Sequence, residues 1–235
     1  SSDSVILPMH SALPVMLAFI SSSTRTVSVP PAITANTGMD VLTHALEAYV
    51  STKASDFTDA LAEKAAQIVF QYLPVAVSKG ECLATRGKMH NASTLAGMAF
   101  SQAGLGINHA IAHQLGGQFH LPHGLANALL LTHVIHFNAR DPRAAKRYAR
   151  FAKACHLCPD NANDTAALNA LIHHIELLKK QCALPSLVDA LKDGKQAWSQ
   201  RIPVMVQAAL ADVTLQTNPR VADASAMQEL LEELL

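Results

Sequence analysis

Apolar residues recur at helical spacing along most of the chain. In "FTDALAEKAAQIVFQYLPVAV", residues 57–77, Leu61, Ala65, Ile68 and Tyr72 fall at three- and four-residue steps, the repeat of one helix face. "KMHNASTLAGMAFSQA", "LANALLLTHVIHF", "DTAALNALIHHIELLKKQC" and "RIPVMVQAALAD" follow the same rule. "SAMQELLEELL" closes the chain, with Ser225 and Gln228 at the spacing of a capping box. Only two stretches depart from this pattern. Residues 14–20 form a short continuous apolar run and "TVSV" at 26–29 alternates, so both predict strands. Pro30 and Pro31 then end that region and open a helix, because proline is tolerated in a first turn. The pattern predicts a mainly α protein, with a helical domain over 31–235 preceded at 1–30 by the tail of something with strands.

Composition supports packed helices. Half of the 235 residues are hydrophobic but only 5% are aromatic, and Ala and Leu, the best helix formers, dominate. Eighteen basic residues balance eighteen acidic ones, with no basic stripe, which argues against nucleic acid as a partner. No apolar run reaches the roughly 18 residues of a membrane-spanning helix. "LPVMLAFI" lacks the basic flank of a secretion signal. The opening "SSDSVILPM" has no initiator Met and reads as a segment of a longer chain. Cys82, Cys155, Cys158 and Cys182 are too few for a disulfide scaffold, which predicts a reducing interior. "CHLC" at 155–158 ends a helical run and has no second pair of soft ligands, so it reads as buried thiol rather than zinc or redox chemistry.

Histidine changes the picture. "GINHAIAHQLGGQFHLPHG", residues 106–124, carries His109, His113, His120 and His123. "TGMDVLTHALEAY", residues 37–49, places Asp40 and His44 one turn apart on one helix face. His109 and His113 have the same relation, and His123 follows a glycine-containing connection and Pro122. Either stretch alone is weak: an isolated Asp-x-x-x-His pair is usually a solvated face, and a single apolar-helix histidine is usually a satisfied core residue. Together, with glycines around both that permit close backbone approach, they form a candidate metal site. One carboxylate with three neutral imidazoles suits Fe(II) or Zn(II) and not the all-oxygen habits of Mg or Ca.

"TGMDVLTHALEAYVS", followed by "GMAFSQAGLGINHAIAHQLGGQFHLPHGLANALLL" and by "TNPR" at 217–220, resembles the signature pair of the iron-containing alcohol dehydrogenases. The similarity runs from about Leu13 to the C-terminus, and is nearest to the bacterial ethanolamine-utilisation members. It implies the helical C-terminal domain of a dehydroquinate synthase-like fold, with residues 1–30 a remnant of the N-terminal α/β nucleotide-binding domain. By the same resemblance, Asp40, His44, His109 and His123 are the metal ligands for Fe(2+), with Zn(2+) the alternative. His113 is then the catalytic histidine beside the nicotinamide of NAD(H), and Phe100 lines the substrate pocket. His120 falls at the pocket rim or surface, and His133 and His136 are structural. The implied reaction interconverts a small alcohol such as ethanol with its aldehyde, in ethanolamine utilisation, in the cytoplasm and in association with a bacterial microcompartment. A bound ion in such a site acts as a Lewis acid, while the redox chemistry belongs to the nicotinamide.

Two departures qualify that expectation. No GGGS, GxGxxG or P-loop pattern occurs, so the pyrophosphate cradle of the family is absent from these residues. Ser21 to Ser23 stand where the family has Asp-Pro. These residues are therefore not expected to bind NAD or turn over alone. An unpaired strand edge within 13–29 is where copies of the chain would meet in a homo-oligomer. Two rivals remain: a metal-dependent hydrolase, with Glu47 the nearest general base although more simply a helix-surface residue, and a non-catalytic helical metal-binding or interaction module.

Overall fold

The computed structural model describes residues 28–191 and 194–235, and among these every regular element is a helix. The predicted strand at 14–20 and Ser21 to Ser23 lie outside the described residues. Of "TVSV", only Ser28 and Val29 are described, and they form a turn and a bend. Helix α1 spans Pro31–Val50 and begins on its proline as predicted. There the missing N–H is one that no helical carbonyl would have accepted.

Short polar caps set the next boundaries. Ser55 starts α2 (Asp56–Ser78) by accepting from the Thr58 N–H, and the Ser55 N–H donates to Thr58 Oγ1 at 2.8 Å. The most deeply buried line of α2 is Ala62, Ala65, Ala66, Val69, Leu73 and Ala76. Leu61 and Tyr72, predicted on the central stripe, flank it, because α2 packs against both α1 and α3 (Leu83–Ala103). Gly104, at φ 79°, ends α3 in the left-handed region that favours glycine. Alanines (Ala45, Ala65, Ala92, Ala96 and Ala99) fill the seams between α1, α2 and α3, which lets the three helices approach closely.

The chain continues through α4 (Ile107–Phe119), α5 (His123–Asn138), α6 (Pro142–Ala154), α7 (Asp164–Gln181) and the single turn α8 (Leu187–Ala190). It ends with α9 (Gly194–Leu210), a 3-10 turn (Val213–Thr217) and α10 (Ala224–Glu232). The cap of α10 corrects the sequence reading. Asp223, not Ser225, accepts from the Ala226 N–H at 2.8 Å, and Gln228 turns to Glu232 instead. An aspartate two residues upstream caps as well as a serine, so the helix starts earlier.

Two apolar cores share one helix. The first joins α1, α2, α3, α6 and α7; the second gathers α4, α9 and α10 around Trp198, whose indole N–H donates to the Leu231 carbonyl at 3.0 Å. Helix α5 gives Ala128, Leu131 and Ile135 to the first and Leu125, Leu130, Val134 and Phe137 to the second. That explains why "LANALLLTHVIHF" is apolar on nearly every side. Among the described residues no helix is long and apolar enough to cross a membrane. All four cysteines are free; burial pushes the Cys182 thiol up to about 11 and the Cys155 thiol further still, as inert thiols behave.

Candidate metal centre

The N-terminal ends of α4 and α5 meet the middle of α1 at the seam between the two cores. On α1, Asp40, His44 and Glu47 occupy one stripe over two turns. His109 lies in the first turn of α4 and His123 is the first residue of α5. The α1–α5 approach depends on Gly124, where a Cβ would collide with the Asn36 carbonyl and press on the Asp40 side chain. Any larger residue would hold His123 away from Asp40.

Asp40, His44, His109 and His123 each offer a donor atom, and these four atoms lie within 4.8 Å of one another. Asp40 Oδ1 stands 3.8 Å from His109 Nε2 and 3.5 Å from His123 Nε2; Asp40 Oδ2 stands 3.8 Å from His44 Nδ1. Four donors tetrahedrally placed about 2.1 Å from one ion would be about 3.4 Å apart, so the cradle is of the right size. The chemistry of the donor set also fits. The Asn127 NH₂ group donates to Asp40 Oδ1 at 2.6 Å, and its second hydrogen is shared between Nε2 of His109 and Nε2 of His123, each 3.1 Å away. Asn108 Nδ2 in turn donates to Asn127 Oδ1 at 2.9 Å and fixes which end of that amide faces the ligands. Three of the four donors therefore point lone pairs at one place, as a cation site requires. Among the described residues this is the one group of histidine, cysteine and carboxylate side chains arranged for a metal.

Protonation is set by burial and by neighbours. Burial, with His109 close by, lowers the His44 pKa to about 4, leaving a neutral imidazole at pH 7. Burial also lowers that of His123, against the pull of Asp40. For His109 burial works downward too, but Glu47 and Asp40 outweigh it and the net shift is upward.

Glu47 is the residue that the sequence reading placed wrongly. It is not on the helix surface: its side chain is 3% exposed, beneath His109. One carboxylate oxygen, Oε1, accepts from the Asn108 N–H at 2.8 Å and the His109 N–H at 3.4 Å, capping α4, whose own N-cap is Gly106. The other, Oε2, is bonded to His109 Nδ1. Its place on the stripe of Asp40 and His44, three residues beyond the latter, was the available signal. Asn218 completes the cap by accepting from the Ile107 N–H at 3.0 Å, which gives the "TNPR" stretch a structural role. Gly106 leaves room for both caps, since a Cβ there would come within 2.6 Å of Asn218 Oδ1 and 2.9 Å of Glu47 Oε1.

His113 faces outward one turn further along α4, stacked on His123 with ring centroids 5.6 Å apart. Its Nδ1 pairs with Asp212 Oδ2 at 2.7 Å, and Thr214 anchors that aspartate through its N–H and hydroxyl. Asp212 was not foreseen; nothing near it in sequence marks it. Phe100 stacks on the His44 ring at 4.5 Å. A cavity of about 430 Å³ opens from Asp40 and His44 along Ile33, Val41 and Met89, without Phe100 in its wall. His120 is exposed and adopts a left-handed conformation at the end of α4; His133 is half-buried and His136 exposed on α5.

Known proteins resemble this chain in sequence and in fold. The model of the Fe-containing alcohol dehydrogenase family, C-terminal, matches residues 34–235. A protein named 1-propanol dehydrogenase PduQ, from Citrobacter freundii, is 97% identical over 212 residues, which are 90% of this chain and 57% of that protein. Among solved structures, a 1,3-propanediol oxidoreductase superposes with a TM-score of 0.82 at 37% identity, covering 89% of this chain and 53% of that one. An iron-containing alcohol dehydrogenase from Thermococcus thioreducens superposes with a TM-score of 0.80 at 31% identity, over 88% and 52%. The chain thus spans just over half the length of each of these three relatives.

Proposed function

The chain belongs to the iron-containing alcohol dehydrogenase family, and from that premise we propose that it is the metal-binding part of an enzyme interconverting a short-chain primary alcohol and its aldehyde with NAD(H). The observation that carries the reading is the convergence of the Asp40, His44, His109 and His123 donor atoms within 4.8 Å. These four are the proposed ligands of Fe(II), with Zn(II) compatible with the same set. When bound, the ion supplies a Lewis acid for the alcohol or aldehyde oxygen and the nicotinamide supplies the two-electron chemistry.

This chain's own residues do the rest. Asp40 gives the site its negative charge, and the neutral rings of His44 and His123 leave lone pairs free for coordination. Phe100 covers one face of His44 and keeps water from it. Asp212 accepts from Nδ1–H of His113, which leaves Nε2 as the end that would hand a proton between the reacting oxygen and solvent. In the substrate we favour three carbons, 1-propanol and propanal, ahead of the ethanol and ethanolamine expected from sequence resemblance. The support is the 97% identity to a protein bearing the propanol name.

The hydrolase reading loses its base, because Glu47 is buried and bonded on both oxygens. The test is metal content of the wild-type chain and of His109→Ala, alongside NADH oxidation with propanal by the enzyme containing each. Stoichiometric iron or zinc in the wild type alone, with turnover lost in the variant, is the expected result. Equal metal in both would reject the ligand set.

A further inference from the structure

We propose that Glu47 is a positioning residue for the metal centre: its carboxylate holds the His109 ring so that Nε2 carries the lone pair that faces the ion. The inference rests on the ligand set proposed above and adds a residue to it. A plain helix cap needs one acceptor oxygen, and Oε1 of Glu47 meets that need at the N–H groups of Asn108 and His109. The second oxygen does something a cap does not require, taking the Nδ1–H of His109 in a contact where both side chains are at most 3% exposed. With that proton on Nδ1, the neutral ring must present an unprotonated Nε2. A separate contact agrees: the N–H of Asn127, its orientation set by Asn108, donates to that same Nε2. Both ring nitrogens are thereby assigned, one as donor and one as acceptor. A carboxylate behind a ligating imidazole fixes the tautomer and ring direction and raises ligand basicity.

The decisive variant is Glu47→Gln. It keeps the shape and one acceptor oxygen for the cap, but it turns an NH₂ toward Nδ1, so the favoured His109 tautomer moves its proton to Nε2 and blocks the ligand atom. Cobalt(II) affinity of the full chain, measured by chelator competition, should fall roughly 10- to 100-fold in Glu47→Gln, with the metal-free variant still folded by its far-ultraviolet circular dichroism. The imidazole nitrogen-15 shifts of metal-free protein should report His109 as Nδ1–H in the wild type and Nε2–H in the variant. Wild-type and variant affinities within twofold of each other overturn the role of Glu47 and leave the ligand set standing. A wild-type chain that binds no cobalt overturns the ligand set and this inference with it. If the variant does not fold, the wild-type shifts still decide: a metal-free His109 protonated on Nε2 alone refutes the proposal.

Discussion

His109 and His113 sit one turn apart on α4, each with a carboxylate on its Nδ1, and live under opposite conditions. The His109 side chain is 2% exposed, and Glu47 behind it is equally enclosed. The His113 side chain is 42% exposed, and its partner Asp212 is reached from the surface by a short turn. Burial raises the cost of every unmet polar group, so the inner pair had to be completed by backbone N–H groups and two asparagines. The outer pair needed only Thr214. The inner end of α4 is built as a core that happens to be polar; the outer pair stands open to solvent.

Replacing the two histidines in turn gives the largest expected contrast. His109→Ala leaves the Glu47 carboxylate buried without its ring partner, and should cost the metal-free protein about 3 kcal/mol together with its metal affinity. His113→Ala removes an exposed ring and should change stability by no more than about 0.5 kcal/mol while the metal still binds. Urea unfolding of the metal-free proteins checks both values. Equal losses would mean that the two ends of α4 do not differ in the way described.

This asymmetry was only partly legible in the sequence. Spacing put Asp40 with His44 and His109 with His113, because a helix repeats every 3.6 residues and local geometry suffices. Resemblance, not spacing, separated His123 from His120. The structure brings His123 to the cluster and leaves His120 outside it, in a left-handed helix end. Glu47 was misjudged because its environment is made by α4, which lies some sixty residues away along the chain (|i−j| = 61 to Asn108), and no local pattern reports such a partner. Asp212 escaped for the same reason, at |i−j| = 99 from His113. Helices were visible almost throughout. Which face of α2 lay deepest was not, since that depends on two neighbouring helices at once.

Two glycines at the ends of α4 test the comparison at backbone level. Gly106→Ala would push a methyl group into Asn218 and Glu47, and should destabilise the protein by about 1–3 kcal/mol through this overpacking. Gly117→Ala meets nothing within 4 Å on the exposed, outer part of the same helix. There the gain in helix propensity should stabilise by about 0.5–1 kcal/mol. Opposite signs in thermal melts are the expected outcome; a neutral Gly106→Ala would show that the inner cap has slack.

The smallest effect concerns a second polar cluster, between α5 and α7, in which Lys179 of α7 supplies the cation. Glu176 Oε1 accepts from Thr132 at 2.7 Å and from Lys179 Nζ at 2.8 Å, with the lysine side chain only 12% exposed and the glutamate 44%. Burial works to raise the Glu176 pKa, but the bonds from Lys179 and Thr132 outweigh it and the net shift is downward. A carboxylate with a depressed folded pKa gives stability that is present above its unfolded value, about 4.3, and is lost as pH falls through the folded one. Glu176→Gln should therefore flatten the stability curve below about pH 4.5, by less than about 1 kcal/mol because the glutamate is half in water. The decline that sets in below about pH 6.5 should survive in the variant, since it belongs to groups such as His133, whose pKa is lowered by burial and by Lys179. Urea midpoints at pH 3.5, 5 and 7 separate the two windows. If Glu176→Gln instead flattened the curve near pH 6, the acid response of α5 would arise from coupling between this cluster and its histidines, and the contrast between a cation carried by the chain and one taken from outside would lose its simplest control.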